Sequence, residues 1–364
     1  MNCIIEKESF LHHLQKVANI VPRKTIMPIL GHIKLEATGE ELKLTATCLD
    51  IFVETSMKAV VNEEGSITLP AKTLIDLTNR LTGTEIQLDS NKRFHCKIAC
   101  GNAMFKIKGL NPADFPEMPP VEEKGRITLK IADYNRLIDQ VAYAVISKGD
   151  ARKCLQGISF SIKDGLLTAV ATDGKRLAMS EAIPDSVGED AFDIIIPHPA
   201  AMEIKRLLEG DDPVTLAYDE KLIIVRIGST TLTAKLLDGK YPDISKIIPK
   251  DFLKNVKLPV AALRSSLDLI CIPLEINGNI SLKFLSGRLE LQSKSQILGE
   301  GADTFEVPYD YEDEMEIYFN PNYLRDPLKY SGAENLDMRI NDAKSPITLE
   351  CPGFKYILMP IKPR

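Results

Sequence analysis

No apolar run in this sequence approaches the roughly 20 residues that a membrane span needs, which excludes a spanning helix. The first residues, Met1-Asn2-Cys3-Ile4-Ile5-Glu6-Lys7-Glu8, lack the basic-then-apolar order of a signal peptide, so the expected location is the cytoplasm. Catalytic signatures are missing as well. There is no P-loop, no nucleophile elbow and no paired set of Cys and His at metal-ligand spacing. The five histidines (His12 and His13 on a helix face, His32 and His95 in strands, His198 between two prolines) have no Ser, Cys or Asp partner at a readable spacing. The seven cysteines are scattered, which argues for free thiols in a reducing compartment. Cys96 and Cys100 lie close together beside His95, but without further ligands they read as one face of a strand with Ile98. A basic excess is also absent. With 45 Lys and Arg against 51 Asp and Glu, the net charge is −6. If such a chain meets DNA, its positive charge must be sorted onto one face.

What is present is a repeat. Ile33-Lys34-Leu35-Glu36, a turn at Thr38-Gly39 and Leu42-Lys43-Leu44-Thr45-Ala46-Thr47 form two alternating runs around a Gly-bearing turn, the pattern of a half-buried β-hairpin. The pattern returns as Ile158-Ser159-Phe160-Ser161, Asp164-Gly165 and Leu167-Thr168-Ala169-Val170-Ala171-Thr172. It returns again as Ile280-Ser281-Leu282-Lys283, Ser286-Gly287 and Leu289-Glu290-Leu291-Gln292-Ser293. Leu42, Leu167 and Leu289 are 125 and 122 residues apart. Two further landmarks keep this period. A short strand runs into a breaker at Leu69-Pro70, Ile196-Pro197 and Phe319-Asn320, and an amphipathic segment opens each unit at Phe10, Leu137 and Leu263. A period of roughly 120 residues is a whole domain, too long for a solenoid repeat. The expected organisation is three tandem copies of one α+β domain, over residues 1–122, 123–254 and 255–364.

Within the first unit the pattern predicts helices over 9–21 and 72–81, and a Pro-rich closing segment, 111–120, that is neither helix nor central strand. Asp133 is the expected N-cap of the helix carrying Arg136. The third unit is the most divergent. Its helical pattern over 267–274 is nearly bare of basic charge, and it ends in an apolar strand over 356–361 followed by Lys362-Pro363-Arg364.

Taken in order, Pro28-Ile29-Leu30-Gly31, Leu44-Thr45-Ala46-Thr47, Ala113-Asp114-Phe115-Pro116, Val170-Ala171-Thr172-Asp173-Gly174-Lys175-Arg176-Leu177-Ala178, Asp238-Gly239-Lys240-Tyr241-Pro242-Asp243 and Met359-Pro360-Ile361 span essentially the whole chain. On these motifs the sequence resembles the β subunit family of bacterial DNA polymerase III, the sliding clamps. The resemblance implies a head-to-tail homodimer, a ring with sheets outside and two helices per domain lining the hole. It also implies a DNA polymerase processivity factor that holds double-stranded DNA without reading sequence, and no cofactor, metal or catalytic residue. The implied partners are the polymerase III catalytic subunit, the clamp loader, other polymerases and repair proteins, all through short linear peptides.

Candidate lining residues lie on or just after helices: Lys16, Arg23, Lys24, Lys72, Arg80, Arg136, Lys148, Arg152, Lys153, Lys205, Arg206 and Lys329, with Arg23, Lys24, Arg152 and Lys153 foremost. Matched position by position, the family's peptide cleft implies Leu155, Thr172, Gly174, Lys175, Arg176, Leu177, Pro242, Ile247, Asn320, Tyr323, Ile347, Leu349, Ile357, Leu358, Met359, Pro360 and Ile361. For the dimer contact, an edge strand with Phe105 and Ile107 would pair with an edge of the third unit, where Ile270, Ile272 and Leu274 are its apolar partners or plain core. Three positions depart from the family: Cys48 stands where the second repeat has Asp173, 267–274 lacks the usual basic residues, and the tail runs past Ile361. Two rival readings of the sequence are a monomeric three-domain peptide-binding scaffold, and an enzyme using Thr172-Asp173-Gly174-Lys175 as a phosphate-handling or acid/base loop.

Overall fold

The computed structural model describes residues 1–118, 120–146, 152–188, 193–249, 251–275 and 278–362. In the first copy β1 (Asn2–Glu6) passes directly into α1 (Lys7–Ala18), where the Glu6 carboxylate accepts from the Ser9 amide at 2.9 Å and satisfies an orphan donor of the first turn. The hairpin β2 (His32–Thr38) and β3 (Glu41–Thr47) follows, then β4 (Ile51–Lys58), β5 (Val60–Glu63) and β6 (Gly65–Pro70). After α2 (Ala71–Arg80) comes the meander β7 (Glu85–Ser90), β8 (His95–Cys100) and β9 (Ala103–Lys108).

The second copy repeats this order as β10 (Gly125–Leu129), α3 (Ile131–Val141), β11 (Gly157–Lys163), β12 (Leu166–Thr172), β13 (Arg176–Ala182), β14 (Ser186–Val187), β15 (Asp193–Pro197), α4 (His198–Leu207), β16 (Val214–Tyr218), β17 (Leu222–Ile227) and β18 (Thr230–Lys235). The third has β19 (Lys254–Pro259), α5 (Val260–Ile270), β20 (Ile280–Leu285), β21 (Arg288–Ser295), β22 (Gly299–Glu306), β23 (Met315–Phe319), α6 (Pro321–Tyr330), β24 (Asn335–Ile340), β25 (Ile347–Cys351) and β26 (Phe354–Leu358).

Each copy therefore makes two antiparallel half-sheets, and adjacent copies join one of each. Strand β4 pairs with β18 (Phe52 opposite Thr233), fusing first and second copies into a nine-stranded sheet. Strand β13 pairs with β26 (Leu177 opposite Ile357), fusing second and third into an eight-stranded sheet. Two half-sheets are left over. One is five-stranded and ends at β9; the other is four-stranded and ends at β22. The chain divides into two compact units, Met1–Ile131 with Asp185–Asp190 and Pro199–Leu236, and Ala132–Pro184 with Ala191–His198 and Leu237–Arg364. The division passes through the second copy, because its two half-sheets are hydrogen-bonded into different neighbours.

The core follows the two periodicities. In β2 and β3 every second side chain is buried (Ile33, Leu35, Leu42, Leu44), and α1 buries Phe10, Leu14 and Val17 along one stripe. Cys96, Ile98 and Cys100 share the buried face of β8 while His95 is exposed. Burial pushes the Cys96 thiol up to about 12 and Cys3 to about 11, so both remain protonated.

Several local expectations are corrected. The opening helices start where the preceding strand ends, so α1 begins at Lys7 and ends at Ala18, and Asp133 falls inside the first turn of α3 instead of capping it. There its charge faces the helix N-terminus and pairs with Arg136 at 3.0 Å. The helix expected over 267–274 stops at Ile270, ahead of Pro273, whose ring disfavours helical backbone before it. The last strand is Phe354–Leu358, not 356–361, since Pro360 has no amide to continue the ladder. The Pro-rich segment contains one 3₁₀ turn, Pro112–Asp114, with proline at a position where its missing amide is harmless.

Candidate functional site

The bend at Thr172–Arg176 is built twice. In the second copy the Thr172 hydroxyl donates to the Arg176 carbonyl at 2.6 Å and accepts from the Gly174 amide at 3.1 Å. In the first copy Thr47 does the same with Ile51 (3.0 Å) and Leu49 (2.9 Å). The third residue of the bend is left-handed in both, with φ 85° at Gly174 and 77° at Leu49. Glycine takes this backbone freely, whereas leucine bears a steric cost of roughly 1 to 2 kcal/mol. A Cβ on Gly174 would also lie 3.3 Å from Nη1 of Arg152. Gly174→Ala is expected to lower stability by about 1 to 2 kcal/mol, and Leu49→Gly to leave it unchanged or raise it by up to about 1 kcal/mol. Thermal melts that fall equally for both would contradict this account.

Below the second bend, strand parity divides the family-implied residues between two faces of the eight-stranded sheet. Val170, Leu177 and Ile357 lie on one face and form an apolar cluster, against which Met179, Tyr241, Ile244 and Ile248 pack. The Tyr241 hydroxyl accepts from the Thr172 amide at 3.1 Å, and burial raises its pKa, so it stays neutral. Ile247 and Met359 are exposed beside this cluster in sequence, and the Met359 amide donates to the Lys175 carbonyl at 3.0 Å. Arg176, Ile347, Leu349 and Leu358 point to the opposite face, where the last three are fully buried. Leu155 and Thr172 are buried, Lys175 and Pro242 exposed, and Pro360 half-buried. Asn320 caps α6 by accepting from the Asn322 amide at 3.0 Å, and the half-buried Ile361 donates its amide to the Tyr318 carbonyl at 2.8 Å. Val170, Met179, Tyr241, Ile244 and Ile248 belong to the apolar cluster but are not among the family-implied residues. Strand alternation with Thr172 and Leu177 could have placed Val170 and Met179 on this face, while the loop residues carry no period that reveals them.

Arg176 is enclosed, its side chain 10% exposed. Nε donates to Asp173 Oδ2 at 3.1 Å, Nη2 to the Tyr143 carbonyl at 2.5 Å, and Nη1 to Asp326 on α6. The Tyr323 ring lies 4.3 Å from the guanidinium carbon and the Tyr143 ring 5.5 Å.

The candidate lining residues also sort into two groups. Arg23, Lys24, Lys72, Arg80 and Lys153 are exposed. Arg206 instead grips the buried Glu203 and donates to the Lys16 carbonyl, supplying a missing partner at the end of α1. Arg136 is tied to Asp133 and to the Glu181 carbonyl, both at 3.0 Å. Lys16 pairs with Glu209 at 3.2 Å, and the Lys329 ammonium sits 4.7 Å from the Tyr330 ring centre. Lys205 is half-buried, Arg152 stands over Gly174, and Lys148 lies outside the described residues. Arg136, half-buried, and Arg206, exposed, thus both have partners within the fold. Of the dimer candidates, Phe105 on β9 is 43% exposed, Ile107 half-buried and Ile272 76% exposed. Ile270 is the exception at 1%, packed in its own domain at the end of α5, with its carbonyl accepting from Ser293.

Comparison with known proteins decides the family. Residues 1–119, 128–243 and 245–362 match the N-terminal, central and C-terminal domains of the DNA polymerase III beta subunit. The chain belongs to the beta sliding clamps. It is 31% identical to the beta sliding clamp of Chlamydia muridarum over 100% of this chain and 99% of that one. The clamp structure from Caulobacter crescentus superposes with a TM-score of 0.92 at 30% identity, covering 100% of both chains. A Bartonella birtlesii clamp, solved bound to griselimycin, gives 0.94 at 28%, again over 100% of both. As a sliding clamp the chain is a processivity factor for DNA polymerase, an accessory protein and not an enzyme.

Proposed function

We propose that two copies of this clamp close head to tail around duplex DNA in the cytoplasm, and that the apolar cluster at Leu177 and Ile357 receives short peptides of the polymerase, the loader and repair proteins. The unfinished strand pairing carries the reading. Strands β4 and β13 each find the last strand of the next copy, whereas the outer edges of β22, which pairs with β21, and of its would-be counterpart β9, which pairs with β8, have no strand partner among the described residues. The two open edges are chemically opposite. Strand β9 carries Lys106 and Lys108, and β22 carries Glu300, Asp303 and Glu306. Like edges would set equal charges against one another, so the favoured joint is β9 on β22 of a second copy, a heterologous contact that closes. Further support comes from the exposed Phe105 and Ile272, which need cover.

A ring holds DNA topologically, so its lining need only attract phosphates across a water layer of about one Debye length, roughly 8 Å at physiological salt. Arg23, Lys24, Lys72, Arg80 and Lys153 are the residues suited to this. Loaded onto circular DNA by a clamp loader, the protein is expected to persist, and to run off the same DNA once it is cut. Escape at equal rates from both forms would eliminate topological holding.

A further inference from the structure

We propose that Asp326 is a positioning residue for the peptide cleft, acting through Arg176 to hold the Thr172–Arg176 bend and Tyr323 in register with each other. The inference rests on the cleft reading above and adds a residue that touches no peptide.

Three observations lead to it. The clasp is not needed to make the bend, because the first copy makes the same hydrogen bonds with Cys48 and Ile51 in place of Asp173 and Arg176. Something other than local folding therefore accounts for the charged pair in the second copy. Next, each guanidinium nitrogen of Arg176 is bonded within the protein, and its strand position faces away from Leu177 and Ile357. It is placed to organise the cleft, not to contact a ligand in it. Finally, Asp326 stands three residues beyond Tyr323 on α6, on the same side of the helix. Tyr323 is held from two directions, its ring against Arg176 and its carbonyl accepting from the Tyr356 hydroxyl at 2.8 Å. One guanidinium thus links the bend, the 3₁₀ turn Ala142–Ala144 that follows α3 and carries Tyr143, and the helix presenting Asn320 and Tyr323. Removing the Asp326 charge leaves a largely buried cation short of a partner, and its reorientation displaces the bend and the ring together.

The test uses the full chain and a fluorescein-labelled peptide with a leucine–phenylalanine anchor, read by anisotropy. Asp326→Asn is expected to raise the peptide Kd about tenfold or more, with Asp326→Glu recovering most of the affinity. Asp313→Asn serves as the control, since it breaks the comparable Lys254–Asp313 pair elsewhere in the same compact unit. It is expected to lower the melting temperature while leaving Kd within about twofold. If wild type binds, Met359→Ala does not, and Asp326→Asn binds as wild type, the cleft stands and the role of Asp326 falls. An equal loss in Asp313→Asn would reduce the effect to general destabilisation and overturn the proposal. A wild-type chain that ignores the peptide removes both readings.

Discussion

Phe105→Ala combined with Ile272→Ala is expected to turn a particle of twice 40.4 kDa into a monomer at micromolar concentration, without loss of folded structure. Both side chains are exposed in the isolated chain, so truncating them opens no cavity there. In the proposed ring each would be buried, and burying a side chain of this size contributes about 1.5 to 3 kcal/mol. Losing both weakens each of the two joints by roughly two to four powers of ten. Ile270→Ala is the instructive contrast. Its side chain packs inside the third domain, so the substitution is expected to cost about 2 to 5 kcal/mol of folding stability. Size exclusion with light scattering reads the first outcome and thermal melts the second. The charges on β9 and β22 add a salt dependence, with the dimer loosening as ionic strength rises. A double variant that still elutes as a dimer on dilution would mean that the copies meet through some other surface.

Met359→Ala is expected to weaken anchor-peptide binding about tenfold or more while leaving the melting temperature unchanged. The side chain is 43% exposed two residues beyond Ile357 of the apolar cluster, free to cover an incoming residue. Leu177→Ala should also abolish binding, but for a mixed reason. Leu177 is 1% exposed, lodged between Val170 and Ile357 beneath the loop that carries Tyr241, Ile244 and Ile248. Its loss leaves a cavity worth about 2 to 5 kcal/mol and lets that loop shift. The two variants together separate rim from floor: calorimetry should show lost affinity for both and lowered stability for Leu177→Ala alone. Full peptide affinity in Met359→Ala would exclude the rim assignment.

How much of this could be read without coordinates depended on the range of the interaction. The three hairpins, the helices opening each copy and the buried faces of β2, β3 and β8 were legible because alternation and turn chemistry act between residues close in the chain. Helix ends were less so. Asp133 resembles a cap until the direct strand-to-helix passage is seen, and the helical pattern over 267–274 outlasts the helix that Pro273 forbids.

Charged residues were the hardest to read. Arg80 and Arg206 both follow a helical apolar pattern and both are exposed, yet Arg206 is held by Glu203 and the end of α1. Residue type records that a cation is present, not which acceptor lies within reach. The same holds for Arg176, which precedes Leu177 of the apolar cluster in sequence but faces the other side of the sheet.

Sequence by itself determined three copies of one α+β domain, their order and the bend at Thr172, since each of these is written in local periodicity. Tertiary structure alone decided that half-sheets are shared between neighbouring copies, that β9 and β22 end their sheets with an open edge, and that Asp326 reaches Arg176 across 150 residues. Backbone pairing between distant strands depends on donors and acceptors common to every residue, so local periodicity carries no mark of which strands within the chain will share a sheet.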